Sequence, residues 1–120
     1  MNIQFLFENV DVSARTRVYI EKRLASISRV LKEREIPATL AEVGISKEKR
    51  GNYRVEVMIK APKGTYRSEE TSETIEASTD AVEEELKRQI REEQEKKETL
   101  HKRGARSIKK KLTIDKEARF

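Results

Sequence analysis

Residues 53–61 read YRVEVMIKA, and Tyr53, Val55, Val57 and Ile59 alternate with Arg54, Glu56, Met58 and Lys60. A period of two over nine residues sends successive side chains to opposite faces of a strand. One face is apolar and the other is mostly charged. A strand of that kind belongs to a sheet with one face buried and the other in water. The rest of the chain must therefore supply partner strands and something apolar to cover one face.

Partner strands are readable on both sides. Residues 2–8 (NIQFLFE) alternate, with Ile3, Phe5 and Phe7 on one side. Residues 39–47 (TLAEVGISK) alternate around Ala41, Val43 and Ile45, and the turn chemistry of Gly51–Asn52 joins them to the strand at 53. After a second turn at APKG, residues 65–71 (TYRSEET) predict a short fourth strand at an edge.

The cover comes from two helical stripes. Ser13 is a good N-cap for a helix from Ala14 to about Arg34, in which Ile20, Leu24, Ile27 and Leu31 step by four, three and four. Pro37 breaks the chain beyond that helix. Ile75, Thr79, Val82, Leu86 and Ile90 step by four, three, four and four and predict a second helix laid on the sheet. Residues 91–99 (REEQEKKET) are polar on every side, so a helix there would extend into water. The order is β-α-β-β-β-α. It predicts an α+β fold in which two helices pack on one face of a mainly antiparallel four-stranded sheet. The expected division is a domain over residues 1–97 and a basic, flexible tail over residues 98–120.

Several function classes lose support at this point. The chain has no cysteine, which removes disulfides and thiolate metal sites. Its single histidine, His101, stands in a basic stretch and reads as a solvated side chain. No Gly-rich phosphate loop and no nucleophile–base signature is present. The expectation is a non-enzyme with no cofactor, no metal and no small-molecule substrate. No apolar run reaches membrane-spanning length, and MNIQFLFE is too short and acid-ended for a signal peptide. No membrane partner and a cytoplasmic location are expected.

Charge is the remaining signal. The net charge is +5, but it is divided into blocks. Residues 14–34 hold seven basic and two acidic side chains, residues 73–98 five basic and ten acidic, and residues 99–120 eight basic and two acidic. Clustered Lys and Arg displace condensed counterions from phosphates, which drives salt-sensitive binding to nucleic acid. Aromatic interleaving is sparse, so stacking on single strands is poorly supported. Docking by shape onto structured, phosphate-rich RNA suits this composition better.

Two stretches carry a family resemblance. ENVDVSARTRVYIEKRLASI (residues 8–27) and YRSEETSETIEASTDAVEEELKRQIR (residues 66–91) occur in the right order and spacing. Over residues 1–97 the chain resembles the ribosome hibernation-promoting factors, also called ribosome-associated inhibitors or sigma-factor modulation proteins. The resemblance implies a domain like that of double-stranded-RNA-binding folds, docked in the small-subunit channel where messenger and transfer RNA would sit. It implies a stress-response factor that silences translation and stabilises idle ribosomes. The partner would be the small ribosomal subunit, through ribosomal RNA and ribosomal proteins. Basic or polar family positions are matched by Arg17 and Arg23 on the first helix and by Arg88, Gln89, Arg91 and Lys96 on the second. Lys22 and the tail residues Lys102 and Arg103 complete the expected RNA-binding set.

The chain also departs from that pattern. Glu85, Glu92 and Gln94 stand where family members usually carry Lys, Glu76 where they carry an aromatic, and Thr79 where they carry an aliphatic residue. The basic tail is expected to replace the lost charge. With 120 residues, the chain is expected to be a short form, without the C-terminal domain of long members. Two other readings stay open on the residues alone. One is a regulatory protein that binds another protein through the acidic helix, and the other is a general basic RNA-binding module.

Overall fold

The alternating stretch at 53–61 becomes one of the two inner strands of a four-stranded sheet. The computed structural model describes the backbone of residues 1–113 and the side chains of residues 1–100. In chain order the elements are β1 (Asn2–Glu8), α1 (Ala14–Ile27), β2 (Leu40–Lys47), β3 (Tyr53–Ala61), β4 (Gly64–Ser72) and α2 (Ile75–Thr113). Two short 3₁₀ turns, Ser28–Val30 and Glu33–Ala38, lie between α1 and β2. The strand order is β1-β2-β3-β4. β1 pairs parallel with β2 because α1 forms the crossover between them, whereas β2–β3 and β3–β4 are antiparallel hairpins. Among the described residues, left-handed backbone is confined to Asn9 (φ 55°), which turns the chain off β1, and Gly51 (φ 89°), which closes the β2–β3 turn.

The register makes the inner face continuous. Phe5, Val43, Val57 and Ser68 form one row across the four strands, and Ile3, Ala41, Ile59 and Tyr66 form the next. Both helices cover this face. Ile20, Leu24 and Ile27 from α1, Leu31 beyond it, and Ile75, Val82, Leu86 and Ile90 from α2 are buried against Val43, Ile45, Val55, Val57 and Ile59. The predicted stripes are the ones buried. Tyr53, expected to face inward, is half-buried and packs at the margin of the core. Ser13 caps α1 as expected, its Oγ accepting from the Thr16 amide at 3.2 Å.

The first helix is shorter than predicted. It ends at Ile27 rather than near Arg34, and Leu31 is already extended. The cause is local. Ser26 Oγ donates to the carbonyl of Arg23, and Ser28 Oγ donates to that of Ala25, both at 2.6 Å. Hydroxyls bonded three residues back compete with the α-helical ladder and favour the tighter 3₁₀ turn. Lys32 and Arg34 consequently lie outside α1.

The chain divides into two compact units, residues 1–90 and residues 91–120. The first holds the sheet, α1 and the buried stripe of α2. In the second, α2 continues as helical backbone to Thr113, beyond the expected start of a tail at residue 98. Lys97 pairs there with Glu93 at 3.8 Å. The side chains of Lys102 and Arg103 lie outside the described residues.

Candidate nucleic-acid interface

Beside its apolar stripe, α1 carries a polar row at Thr16, Tyr19, Arg23 and Ser26, spaced three, four and three. α2 carries a matching row at Glu76, Asp80 and Glu83. Thr16 Oγ1 donates to Glu76 at 3.2 Å, and the Tyr19 hydroxyl donates to Asp80 at 2.7 Å. Arg23 Nε lies 2.9 Å from Asp80, and its Nη1 lies 3.4 Å from Glu83. Ser26 Oγ also lies within hydrogen-bond reach of the other oxygen of Glu83, so its single proton is shared between that carboxylate and the Arg23 carbonyl. Partners advance in the same sense along both helices, so α1 and α2 run side by side in one direction. Glu83 is only 5% exposed and receives Arg23, Ser26 and, at 3.8 Å, Lys87. A buried carboxylate is costly unless paired and hydrogen-bonded, and here it is both. The Asp80 carboxylate, accepting the Tyr19 proton, pushes the Tyr19 phenol above its ordinary value.

This polar clasp changes the meaning of several candidate residues. Arg23, matched to an RNA-binding position by resemblance, is engaged with Asp80, Glu83 and the Tyr19 ring. Arg88 makes two bonds to Glu85, at 2.6 and 3.0 Å. Gln89 Nε2 donates to Glu85 and to the carbonyl of Arg67, both at 3.0 Å, which ties α2 to β4. The Arg88 guanidinium, and then the Gln89 amide, hold the Glu85 carboxyl at about 2, well below the usual carboxylate range. Arg17 sits over the Phe5 ring at 4.7 Å, with Glu21 3.8 Å from its Nε. Two of the departures from the family pattern have local explanations. Thr79 is fully buried with its hydroxyl satisfied by the Ile75 carbonyl at 2.7 Å, and Glu76 holds Thr16.

Cations without an ion pair among the described residues are placed elsewhere. On α1 they are Arg15 and Lys22, seven residues apart, and a further step of seven reaches Arg29 in the 3₁₀ turn. With Val18 and Ala25 between them they form one exposed row, spaced three, four, three and four. Val18 is 48% exposed, so this apolar residue of α1 belongs to the outer row and not to the core. On α2, Arg91 and Lys96 are exposed and also have no ion pair among the described residues. Lys22, Arg91 and Lys96 are thus the predicted candidates left electrostatically available. Arg15 and Arg29 were not among the expected contacts, and the step of seven was the signal that could have found them.

A β-α-β-β-β-α chain order with both helices on one face of a four-stranded sheet defines a class of small α+β domains. Residues 3–98 match the family described as Sigma 54 modulation protein / S30EA ribosomal protein, and the chain belongs to that family. It is 34% identical over 84 residues to the ribosome hibernation promotion factor of Lactococcus lactis subsp. cremoris (strain MG1363). That match covers 70% of this chain and 44% of the relative, so the chain spans less than half of the relative's length. Among solved structures, the N-terminal domain of Thermus thermophilus Protein Y superposes with a TM-score of 0.64 at 29% identity, covering 75% of this chain and 96% of that domain. A ribosomal subunit interface protein from Coxiella burnetii shares the fold, with a TM-score of 0.65 at 20% identity over 78% of this chain and 98% of that one.

Proposed function

We propose that the chain is a cytoplasmic translation silencer that docks in the messenger and transfer RNA channel of the small ribosomal subunit and stabilises idle ribosomes by occupying it. The observation that carries this reading is the outer row of α1. Arg15, Lys22 and Arg29 are exposed, aligned and without an ion pair among the described residues, on the fold of a family that includes a ribosome hibernation promotion factor. Each phosphate that such a cation neutralises releases counterions and adds salt-sensitive free energy. Beyond residue 90, Arg91, Lys96, Lys102 and Arg103 would add phosphate contacts of their own. Arg17, also on α1 and seated on Phe5, gives a fixed guanidinium on the same helix. Arg23, Arg88 and Gln89 contribute by holding the two helices and β4 in place. The action is steric and needs no catalysis and no cofactor.

The test is sedimentation of growth-arrested cell extracts with the chain followed by antibody, together with translation of a reporter by purified ribosomes. Recovery with small subunits and inhibition of the reporter are expected. Recovery in ribosome-free fractions with a single protein would replace this reading with that of a protein-binding regulator. Equal, salt-sensitive affinity for any duplex RNA would replace it with that of a general RNA-binding module.

A further inference from the structure

The two edges of the sheet are protected very differently. β4 carries Arg67, Glu69 and Glu70 and is clasped by Gln89 through the Arg67 carbonyl. β1 is seven residues long, has no Lys, Arg or Pro, and bears its one charge, Glu8, at its end. Charged side chains, prolines and covering elements are the usual protections of an edge strand. Among the described residues, β1 has no such protection along its length apart from the Arg17 guanidinium over the Phe5 ring.

The phase of its backbone is fixed. The Asn2 amide donates to the Thr39 carbonyl of the neighbouring segment at 3.0 Å, so Asn2, Gln4, Leu6 and Glu8 direct their backbone groups toward β2. The alternate residues Ile3, Phe5 and Phe7 therefore direct N–H and C=O toward the open edge. Their side chains form the rim of the core, half-buried, with the Phe5 and Phe7 rings 5.7 Å apart. Leu6, on the outer face of the sheet, is 63% exposed.

We infer that β1 is a self-association edge, and that its occupant is β1 of a second copy of this chain, paired antiparallel about a two-fold axis through Phe5. The phase dictates the register. In an antiparallel ladder, residues that share outward-facing backbone groups pair by exchanging both hydrogen bonds. Centring on Phe5 sets Phe5 opposite Phe5 and Ile3 opposite Phe7, which uses every outward group of the strand's interior. Shifting the centre to Gln4 or Leu6 leaves one end unpaired. The same register continues the apolar rim of one core into the other. On the outer face it sets Gln4 opposite Leu6 and Asn2 opposite Glu8, so no like charges oppose one another. Each copy brings an Arg17 guanidinium to the axis, 4.7 Å from its Phe5 ring. Each copy also carries a net charge of +5. Rising salt screens both repulsions. Self-association tightens with salt, whereas phosphate binding weakens with it, and the two behaviours are separable in one titration.

The experiment is sedimentation equilibrium of the full chain and two exposed double variants, Gln4→Lys with Leu6→Lys and Gln4→Glu with Leu6→Glu. Positions 4 and 6 oppose each other across the axis, so each variant places like charges face to face on itself. An equal mixture of the two places opposite charges face to face. The expected result is a concentration-dependent mass rising toward twice 14.0 kDa for the natural chain, greater at high salt. Each variant alone should stay monomeric with an unchanged circular dichroism spectrum, and association should return on mixing. A natural chain that stays monomeric at all concentrations and salt levels overturns the inference. So do variants that associate like the natural chain, or a mixture that stays monomeric. A monomeric natural chain whose lysine variant loses ribosome binding would assign the edge to the ribosome instead.

Discussion

α1 and α2 cover the same sheet face with apolar stripes of the same spacing, but they handle charge in opposite ways. α1 turns Arg23 inward to α2 and leaves Arg15 and Lys22 on its outer row. α2 carries the acid, and much of it is consumed locally. Asp80 and Glu83 meet Arg23, Glu85 meets Arg88 and Gln89, Glu76 meets Thr16, and Glu93 meets Lys97. The excess of acid on α2 is therefore a poor guide to its outward potential. What a charge presents to a partner depends on which neighbours have already neutralised it.

The largest expected effect tests the shared core beneath this contrast. Leu24 and Leu86 are both fully buried. Leu24→Ala and Leu86→Ala should each cost about 2–5 kcal/mol in denaturant unfolding. If only one of them destabilises, the two stripes do not share one core.

The clasp gives a smaller, sharper test. Arg23→Glu would set a third carboxylate against Asp80 and Glu83, leaving Glu83 buried without its guanidinium. Its melting temperature should fall clearly, and that of Arg23→Gln should fall less. Lys22→Glu, one residue away on the outer row, should melt like the natural chain. Equal melting of Arg23→Glu and Lys22→Glu would erase the distinction between the two sides of α1.

The smallest effect is a titration. Glu85 is held at about 2, below the ordinary 4.5. A lowered folded value means that its contact with Arg88 contributes fully above 4.5 and is lost as pH falls from there through about 2. The carboxyl resonance of Glu85 should titrate near 2, and Arg88→Ala should move it up toward 4.5. A Glu85 midpoint near 4.5 in the natural chain would contradict the pairing with Arg88.

The strands and both apolar stripes were legible because period and burial coincide at Val55, Val57, Ile59, Leu24 and Leu86. The end of α1 was not, because it is set by the hydroxyls of Ser26 and Ser28 competing for carbonyls, a choice that periodicity does not register. Nor was the clasp. Thr16, Tyr19, Arg23 and Ser26 have helical spacing, but a sequence does not say that their counterparts lie about sixty residues away on α2. For that reason Arg23 and Arg88 read as surface cations open to phosphate, while Arg15 and Arg29 went unassigned.

The central claim is that the outer row of α1, and not the clasp, meets phosphate. The most direct measurement is the affinity of the triple variant Arg15→Glu, Lys22→Glu, Arg29→Glu for vacant small subunits across a salt series. The account predicts weaker binding, a log–log salt slope shallower by about one for each lost phosphate contact, and an unchanged melting temperature. Affinity and slope equal to those of the natural chain would contradict it.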